Sequence, residues 1–146
     1  MGAQPHLSLI VPAFNEVATI GRTLRAIADY LEPRGVRYEL IVAADGTDGT
    51  REAAAALAGA LPVKVVGEPH RRGKGRGVRD GVLAAAGDIV GFLDADYKVS
   101  IDELEKVLPW FDDGYDVVIG SRALPDSDIA VWPKWYRRLG SKGFSV

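Results

Sequence analysis

The sequence predicts an α/β fold, an open and mostly parallel sheet with helices on both faces. Two observations carry this. Short apolar runs recur at residues 7–11, 38–43, 62–66, 88–93 and 115–120, and helix-like segments separate them. Strands that alternate with helices pair in parallel through crossovers, and strands buried on both faces read as unbroken apolar runs.

Each element has its own signals. The run at 7–11 is closed by Pro12, and Asn15 is placed to cap a helix in which Ile20, Leu24, Ile27 and Leu31 fall on one face. Pro33 and Gly35 stop that helix before the strand at 38–43. Asp45-Gly46-Thr47-Asp48-Gly49 is a turn, with Asp48 an adequate cap for an Ala-rich helix over 50–60. After the strand at 62–66, residues 68–77 read as a Gly- and Arg-rich loop, followed by a short helix over 78–86 with Val78 and Val82 on one face. The run at 88–93 leads to Ser100 and Glu103, a capping box for a helix carrying Ile101, Leu104, Leu108 and Phe111. A fifth strand is expected at 115–120.

Composition bounds the chemistry. The 146 residues are 47% hydrophobic and 26% charged, ordinary for a globular domain able to bury a core. Without cysteine there is no disulfide, thiol catalysis or cysteine-based metal site. A net charge of -2 argues against a polybasic nucleic-acid binder. No apolar run approaches the roughly 18 residues of a membrane span. Pro5 and His6 lead straight into a strand-like run, so no signal peptide is expected. The expectation is a soluble, cytoplasmic single domain over 1–146.

Ligands in open α/β sheets bind outside the carboxyl ends of the strands, so the residues just after each strand carry the functional reading. Asp94-Ala95-Asp96 ends the fourth strand. Two carboxylates one residue apart repel unless a cation or donors sit beside them, and hard oxygens suit Mg²⁺ or Mn²⁺. The plain alternative is a solvated turn. The segment from His70 to Gly77 alternates three glycines with basic residues, and five of the 18 basic residues lie between Arg71 and Arg79. Glycine lets backbone N–H groups approach an anion that Lys or Arg neutralises. It is neither a Walker loop, since Gly75 follows Lys74, nor a dinucleotide fingerprint, since it follows the third strand. Asp45 stands where a carboxylate can accept from a base or ribose, and Arg122 directly follows the fifth run. Only His6 and His70 are present, with no Gly-x-Ser-x-Gly elbow, which disfavours a serine hydrolase. Trp132, Trp135 and Tyr136 beside Lys134, Arg137 and Arg138 suit either a membrane interface or packing on the sheet.

Five segments together resemble the nucleotide-sugar domain of family 2 glycosyltransferases, the GT-A fold. They are Ile10-Val11-Pro12-Ala13-Phe14-Asn15-Glu16, Asp45-Gly46-Thr47-Asp48-Gly49-Thr50, Arg72-Gly73-Lys74-Gly75, Gly87-Asp88-Ile89-Val90-Gly91-Phe92-Leu93-Asp94-Ala95-Asp96 and Asp116-Val117-Val118-Ile119-Gly120-Ser121-Arg122. The resemblance covers essentially the whole chain. It is strongest to polyprenyl-phosphate sugar transferases of the dolichyl-phosphate glucosyltransferase and mannosyltransferase type. Arg72-Gly73-Lys74-Gly75 and Gly120-Ser121-Arg122-Ala123 favour the glucosyl branch.

The resemblance implies a metal-dependent, inverting transfer from a nucleotide-diphosphate sugar, UDP-glucose favoured, to an acceptor such as a polyprenyl phosphate. Pro12, Phe14 and Glu16 would line the base and ribose pocket, Asp45 would contact the base or ribose, and Lys74 would approach the base or phosphates. Asp94 would touch the ribose or the metal's outer shell, and Asp96 would hold Mg²⁺ or Mn²⁺. Arg122 and one of Arg137 or Arg138 would face the phosphates. Asp94, Asp96 and Arg122 are the expected catalytic group.

The chain departs from the family pattern in three places. Paired aspartates after the second strand appear as Ala44-Asp45, Tyr97-Lys98 follows Asp96, and the chain stops at Val146. The early end predicts a missing acceptor segment and a sheet side covered by a homodimer partner, and a lipid-phosphate acceptor implies peripheral placement at the inner membrane face. It also sustains a second reading, a nucleotide-sugar-binding module without transfer. A nucleotidyltransferase is the weaker third reading, because its Gly-rich loop would stand where Pro12-Ala13-Phe14-Asn15 does.

Overall fold

The computed structural model describes residues 6–121. The chain divides into two compact units, Met1–Glu103 and Leu104–Val146. The first unit runs β1 (Leu7–Phe14), α1 (Ile20–Leu31), β2 (Tyr38–Asp45), α2 (Thr50–Ala55), β3 (Val63–Val66), α3 (Lys74–Ala84) and β4 (Ile89–Phe92). Its four strands are all parallel, in the order β3-β2-β1-β4. The chain thus winds outward from β1 to β3 and returns across β1 to β4. Right-handed crossovers then put α1 and α2 on one face and α3 on the other. The reversal of direction lies between β1 and β4.

Burial follows the strand alternation. Leu7, Leu9, Val11, Leu40 and Val42 point to one face, and Ile10, Ile41 and Ala43 to the other, all of them buried. α1 buries Ile20, Leu24, Ile27 and Leu31, the stripe its spacing predicts, together with Thr23 and Ala28. Fully burying each large aliphatic contributes about 1.5–3 kcal/mol, so this two-faced core is the main source of stability.

Several boundaries differ from the sequence reading. Pro12 does not end β1; it pairs with Ala43 inside the strand. The Ile10 carbonyl faces β4, where it accepts from the Leu93 N–H at 3.0 Å. By two-residue alternation the Pro12 nitrogen faces the same way, beyond the last β4 residue, so no ladder bond is lost. Asn15 does not cap α1; it takes a left-handed turn with φ 58°, and Thr19 is the N-cap residue. α2 is shorter than expected. α3 begins at Lys74, within the expected loop, and its buried face is Gly77 and Gly81 rather than Val78 and Val82. A Cβ on Gly81 would stand 2.5 Å from Ile10 Cγ2. Absence of a side chain lets α3 lie close on the sheet, an approach that a search for apolar spacing does not register.

In the second unit the expected continuous helix is broken. A 3₁₀ turn at Ile101–Glu103 closes the first unit, and short helices α4 (Leu104–Val107) and α5 (Pro109–Asp112) follow. Pro109 supplies no N–H, so a single ladder cannot run through it. Residues 115–120 are not a strand. Val117 and Ile119 are exposed and form no ladder among the described residues, and an apolar run without a pairing partner stays irregular. Among the described residues, no helix is long and apolar enough to cross a membrane.

A buried polar cluster ties the end of α3 to the sheet. The Ser8 hydroxyl donates to Glu39 Oε1 at 2.6 Å, the Ala86 N–H donates to the same oxygen at 2.7 Å, and the Gly87 N–H donates to Ser8 Oγ at 2.8 Å. Lys64 Nζ pairs with Glu39 Oε2 at 2.7 Å. Burial pushes the Glu39 carboxyl up, but Lys64, Ser8 and Ala86 together outweigh it and hold the group below the usual glutamate range.

Two outcomes follow for stability. Gly67 has φ 132°, and a Cβ there would stand 2.0 Å from the Ala44 carbonyl oxygen. Gly67→Ala is expected to cost about 3 kcal/mol, whereas Gly59→Ala, with open space around it, stays within about 0.5 kcal/mol in urea melts. A lowered folded pKa means that Glu39 stabilises fully above the unfolded value, and this is lost as pH falls through the folded one. Glu39→Leu is expected to cost about 2–3 kcal/mol at neutral pH and to flatten the loss of stability below about pH 4.5. An acid limb identical to wild type would show that the cluster does not act this way.

Candidate active site

The site forms where β1 and β2 outrun β4. β1 continues through Phe14 and β2 through Asp45, paired with each other, while β4 stops opposite Ile10. This step, at the reversal of strand order, is the crevice in which open α/β sheets bind ligands. A cavity of about 270 Å³ lies over the projecting ends of β1 and β2 against the start of α3, with Pro12, Phe14, Glu16, Asp45, Arg71 and Lys74 among its lining residues. Five of those six are the residues the sequence selects for a base, ribose and phosphate pocket.

Asp45 is the fixed point of this cavity. It is 7% exposed and accepts from the Arg72 N–H at 2.7 Å and the Glu68 N–H at 3.2 Å. The Arg72 guanidinium lies 3.4 Å from Oδ1 and reaches Asp80 at 3.1 Å with its other nitrogen. Burial opposes the charge on Asp45, but the two backbone donors and the guanidinium outweigh it and hold the carboxyl below the usual aspartate range. Asp45 therefore fastens the loop before α3 to the end of β2. Its expected contact with a base or ribose has to share the carboxylate with these donors.

Asp48 is a second fastening. It accepts from the Val17 N–H at 3.1 Å and the Thr50 N–H at 3.2 Å, and the Thr50 hydroxyl also takes the Glu16 N–H at 3.0 Å. The Thr50 hydrogen bonds, as the largest influence, hold the Asp48 carboxyl low. The loops after β1 and β2 are thus joined. Phe14 stands on this joined rim, 40% exposed, with the Arg71 guanidinium carbon 4.7 Å from its ring centroid. Sequence reasoning did not single out Arg71; its place in a charge run gave no hint that it would pair with an aromatic ring on another loop. The Glu16 carboxylate takes the Thr19 hydroxyl at 2.6 Å.

Lys74 connects the cavity to the paired carboxylates. Its Nζ lies 2.5 Å from Asp94 Oδ1 and 5.5 Å from the Phe92 ring centroid. Asp96 pairs with the Lys98 ammonium and accepts the Lys98 N–H at 3.3 Å. Hydrogen bonding from Lys98 is the leading cause that holds the Asp96 carboxyl low. Ala95 between them is buried, and the Thr23 hydroxyl donates to its carbonyl at 2.7 Å. Thr23 was also missed; the available signal was a hydroxyl residue inside the apolar stripe of α1.

Asp94 and Asp96 fit a divalent cation by donor chemistry. Both are hard carboxylates, and their present partners are flexible lysines with side chains 55% and 80% exposed, able to move aside. Among the described residues no three His, Cys, Asp or Glu cluster as a metal cage. The fit is therefore to a shared site, in which phosphate oxygens complete the coordination. Arg122, Arg137 and Arg138 lie outside the described residues, as do Trp132, Trp135 and Tyr136.

Comparison with known proteins agrees with this layout. A dolichol-phosphate mannosyltransferase of Pyrococcus furiosus is 33% identical over 94% of this chain and 38% of its own length. A dolichyl-phosphate beta-glucosyltransferase of Drosophila melanogaster is 36% identical over 95% of this chain and 47% of its own. The chain thus spans less than half the length of these relatives. Among solved structures, a mannosyltransferase of Pyrobaculum calidifontis in complex with GDP-Man and Mn²⁺ superimposes with a TM-score of 0.64 at 31% identity, covering 77% of this chain and 34% of that one. The architecture is that of the GT-A glycosyltransferases. The sequence model for Glycosyl transferase family 2 matches residues 8–144, a span that takes in the cavity and the paired carboxylates, and the chain belongs to that family.

Proposed function

We propose that this chain carries the donor site of an inverting glycosyltransferase that uses a nucleotide-diphosphate sugar, UDP-glucose favoured, and a polyprenyl phosphate as acceptor. The observation that carries this is one cavity at the ends of β1 and β2, lined by Phe14, Asp45 and Lys74, with the Lys74 ammonium paired to Asp94. The relatives that act on dolichol phosphate and the neighbour holding GDP-Man with Mn²⁺ support the donor class and the acceptor chemistry.

The residues divide the work. Phe14 and Arg71 offer flat faces to a nucleobase. Asp45, kept ionised, holds the loop of Arg72 in place and offers an acceptor at the pocket floor. Gly73 and Lys74, at the start of α3, bring backbone N–H groups and an ammonium toward a diphosphate. Asp96 with Asp94 would hold Mg²⁺ or Mn²⁺. When bound, such an ion neutralises negative charge that grows on a departing diphosphate. An acceptor phosphate oxygen attacks the anomeric carbon as the bond to the diphosphate breaks, and a single displacement inverts that carbon. The nucleophile is already anionic, so no strong general base is required, consistent with a site built of carboxylates and cations.

A second reading, a unit that binds donor without transferring sugar, is favoured by the departure at Ala44-Asp45, where the family pattern carries paired aspartates. Transfer of radiolabelled sugar to polyprenyl phosphate by this chain alone would exclude it.

Two titrations test the donor site. UDP binding measured by calorimetry is expected to strengthen with Mn²⁺ and to weaken about tenfold or more in Asp96→Ala or with EDTA. Equal binding in all cases would remove the metal role. Lys98→Met is expected to tighten Mn²⁺ binding about two- to fivefold, the weight of an exposed ion pair, as read from the free-ion signal in electron paramagnetic resonance.

A further inference from the structure

Thr23 is the fourth residue of α1, within the buried stripe of Ile20, Leu24 and Ile27, and is itself completely buried. Threonine is a poor choice there on general grounds, because it is β-branched and its hydroxyl must find a partner away from water. The backbone N–H makes the expected helix bond to the Thr19 carbonyl at 3.0 Å. The hydroxyl leaves the helix and donates at 2.7 Å to the carbonyl of Ala95, 72 positions later.

That carbonyl is the centre of the Asp94-Ala95-Asp96 turn. β4 ends at Phe92, and its last rung is the Leu93 N–H to the Ile10 carbonyl. Beyond that rung the sheet no longer fixes the backbone. Tyr97 sits at φ 54°, a left-handed conformation uncommon for a residue with a side chain, and its N–H returns to the Asp94 carbonyl at 3.2 Å. Ala95 is 3% exposed while the Asp94 and Asp96 side chains are 57% and 33% exposed. The turn is thus pinned on its inner side and presents its carboxylates on the outer.

We propose that Thr23 is a positioning residue for the paired carboxylates. Its hydroxyl fixes the Ala95 carbonyl and so the spread of Asp94 and Asp96 that receives a divalent cation shared with a nucleoside diphosphate. The proposal rests on the metal reading given above. Groups that orient the residues holding a metal typically govern its affinity by 10- to 100-fold when removed.

The test uses the 146-residue chain and three variants, Thr23→Val, Thr23→Ala and Thr23→Ser. Mn²⁺ binding is followed by electron paramagnetic resonance, and UDP binding by calorimetry with Mn²⁺ and with EDTA. Thr23→Val and Thr23→Ala are expected to weaken Mn²⁺-dependent binding of UDP by about 10-fold or more while binding in EDTA stays unchanged. Thr23→Ser, which keeps the donor, is expected to restore the wild-type response. Circular dichroism establishes which variants fold, and Thr23→Ala carries the test if the larger valine does not. If the Val and Ala variants melt earlier but bind Mn²⁺ as wild type does, Thr23 is a core hydroxyl only and the proposal is overturned. A wild-type chain that binds UDP equally with Mn²⁺ and EDTA overturns the metal reading and this proposal together, an outcome visible without any variant.

Discussion

Unequal strand length is the constraint on which the site depends. β1 and β2 pair over eight residues, whereas β4 pairs with only the first four of β1. A parallel ladder holds backbone only where both strands are present, so the ends of β1 and β2 project past β4 as a ledge. The cavity is the space above that step. It can exist because Pro12 needs no donor on the side β4 has vacated, and because Gly77 and Gly81 let α3 approach the sheet without filling the step.

The ledge by itself would be a set of loose loop ends. Three polar ties stabilise it, each joining segments far apart in sequence. Asp45 takes the Arg72 and Glu68 N–H groups, Asp48 takes those of Val17 and Thr50, and Thr23 takes hold of Ala95. Apart from the exposed Val17 N–H, these ties satisfy buried or half-buried backbone groups that water cannot reach well. Losing one therefore costs more than a surface hydrogen bond and moves a loop that lines the site.

What the sequence makes legible follows from which forces have a period. The four strands of the first unit and the stripe of α1 were readable because burial on both faces imposes unbroken apolar runs and burial of one helix face imposes three- to four-residue spacing. Position singled out the segments after each strand, and the family resemblance picked Pro12, Phe14, Glu16, Asp45 and Lys74 from them as pocket residues. The start of α3 was not readable, because a helix packed through glycine presents no apolar stripe. Residues 115–120 were misread for the converse reason: an apolar run states a preference for burial, but a strand needs a partner ladder, and none is formed there among the described residues. Arg71 on Phe14 and Thr23 on Ala95 join distant segments, and no local pattern announces such pairs.

The cations of the site separate into two kinds, and the separation is chemical. Arginine holds what stays: Arg72 spans Asp45 and Asp80, three side chains that are 22% exposed or less, through a planar group that can bridge two carboxylates at once. Lysine holds what the proposed function releases: Lys74 and Lys98 neutralise Asp94 and Asp96 on long side chains that remain more than half exposed. A bridging guanidinium on Asp94 or Asp96 would be slow to displace and would compete with any incoming ion for both oxygens. A single exposed ammonium gives up its partner at little cost and, once free, carries the positive charge that a diphosphate requires. Under the proposed function, the same two lysines quiet the repulsion between neighbouring carboxylates in the free protein and turn toward phosphate when the donor binds.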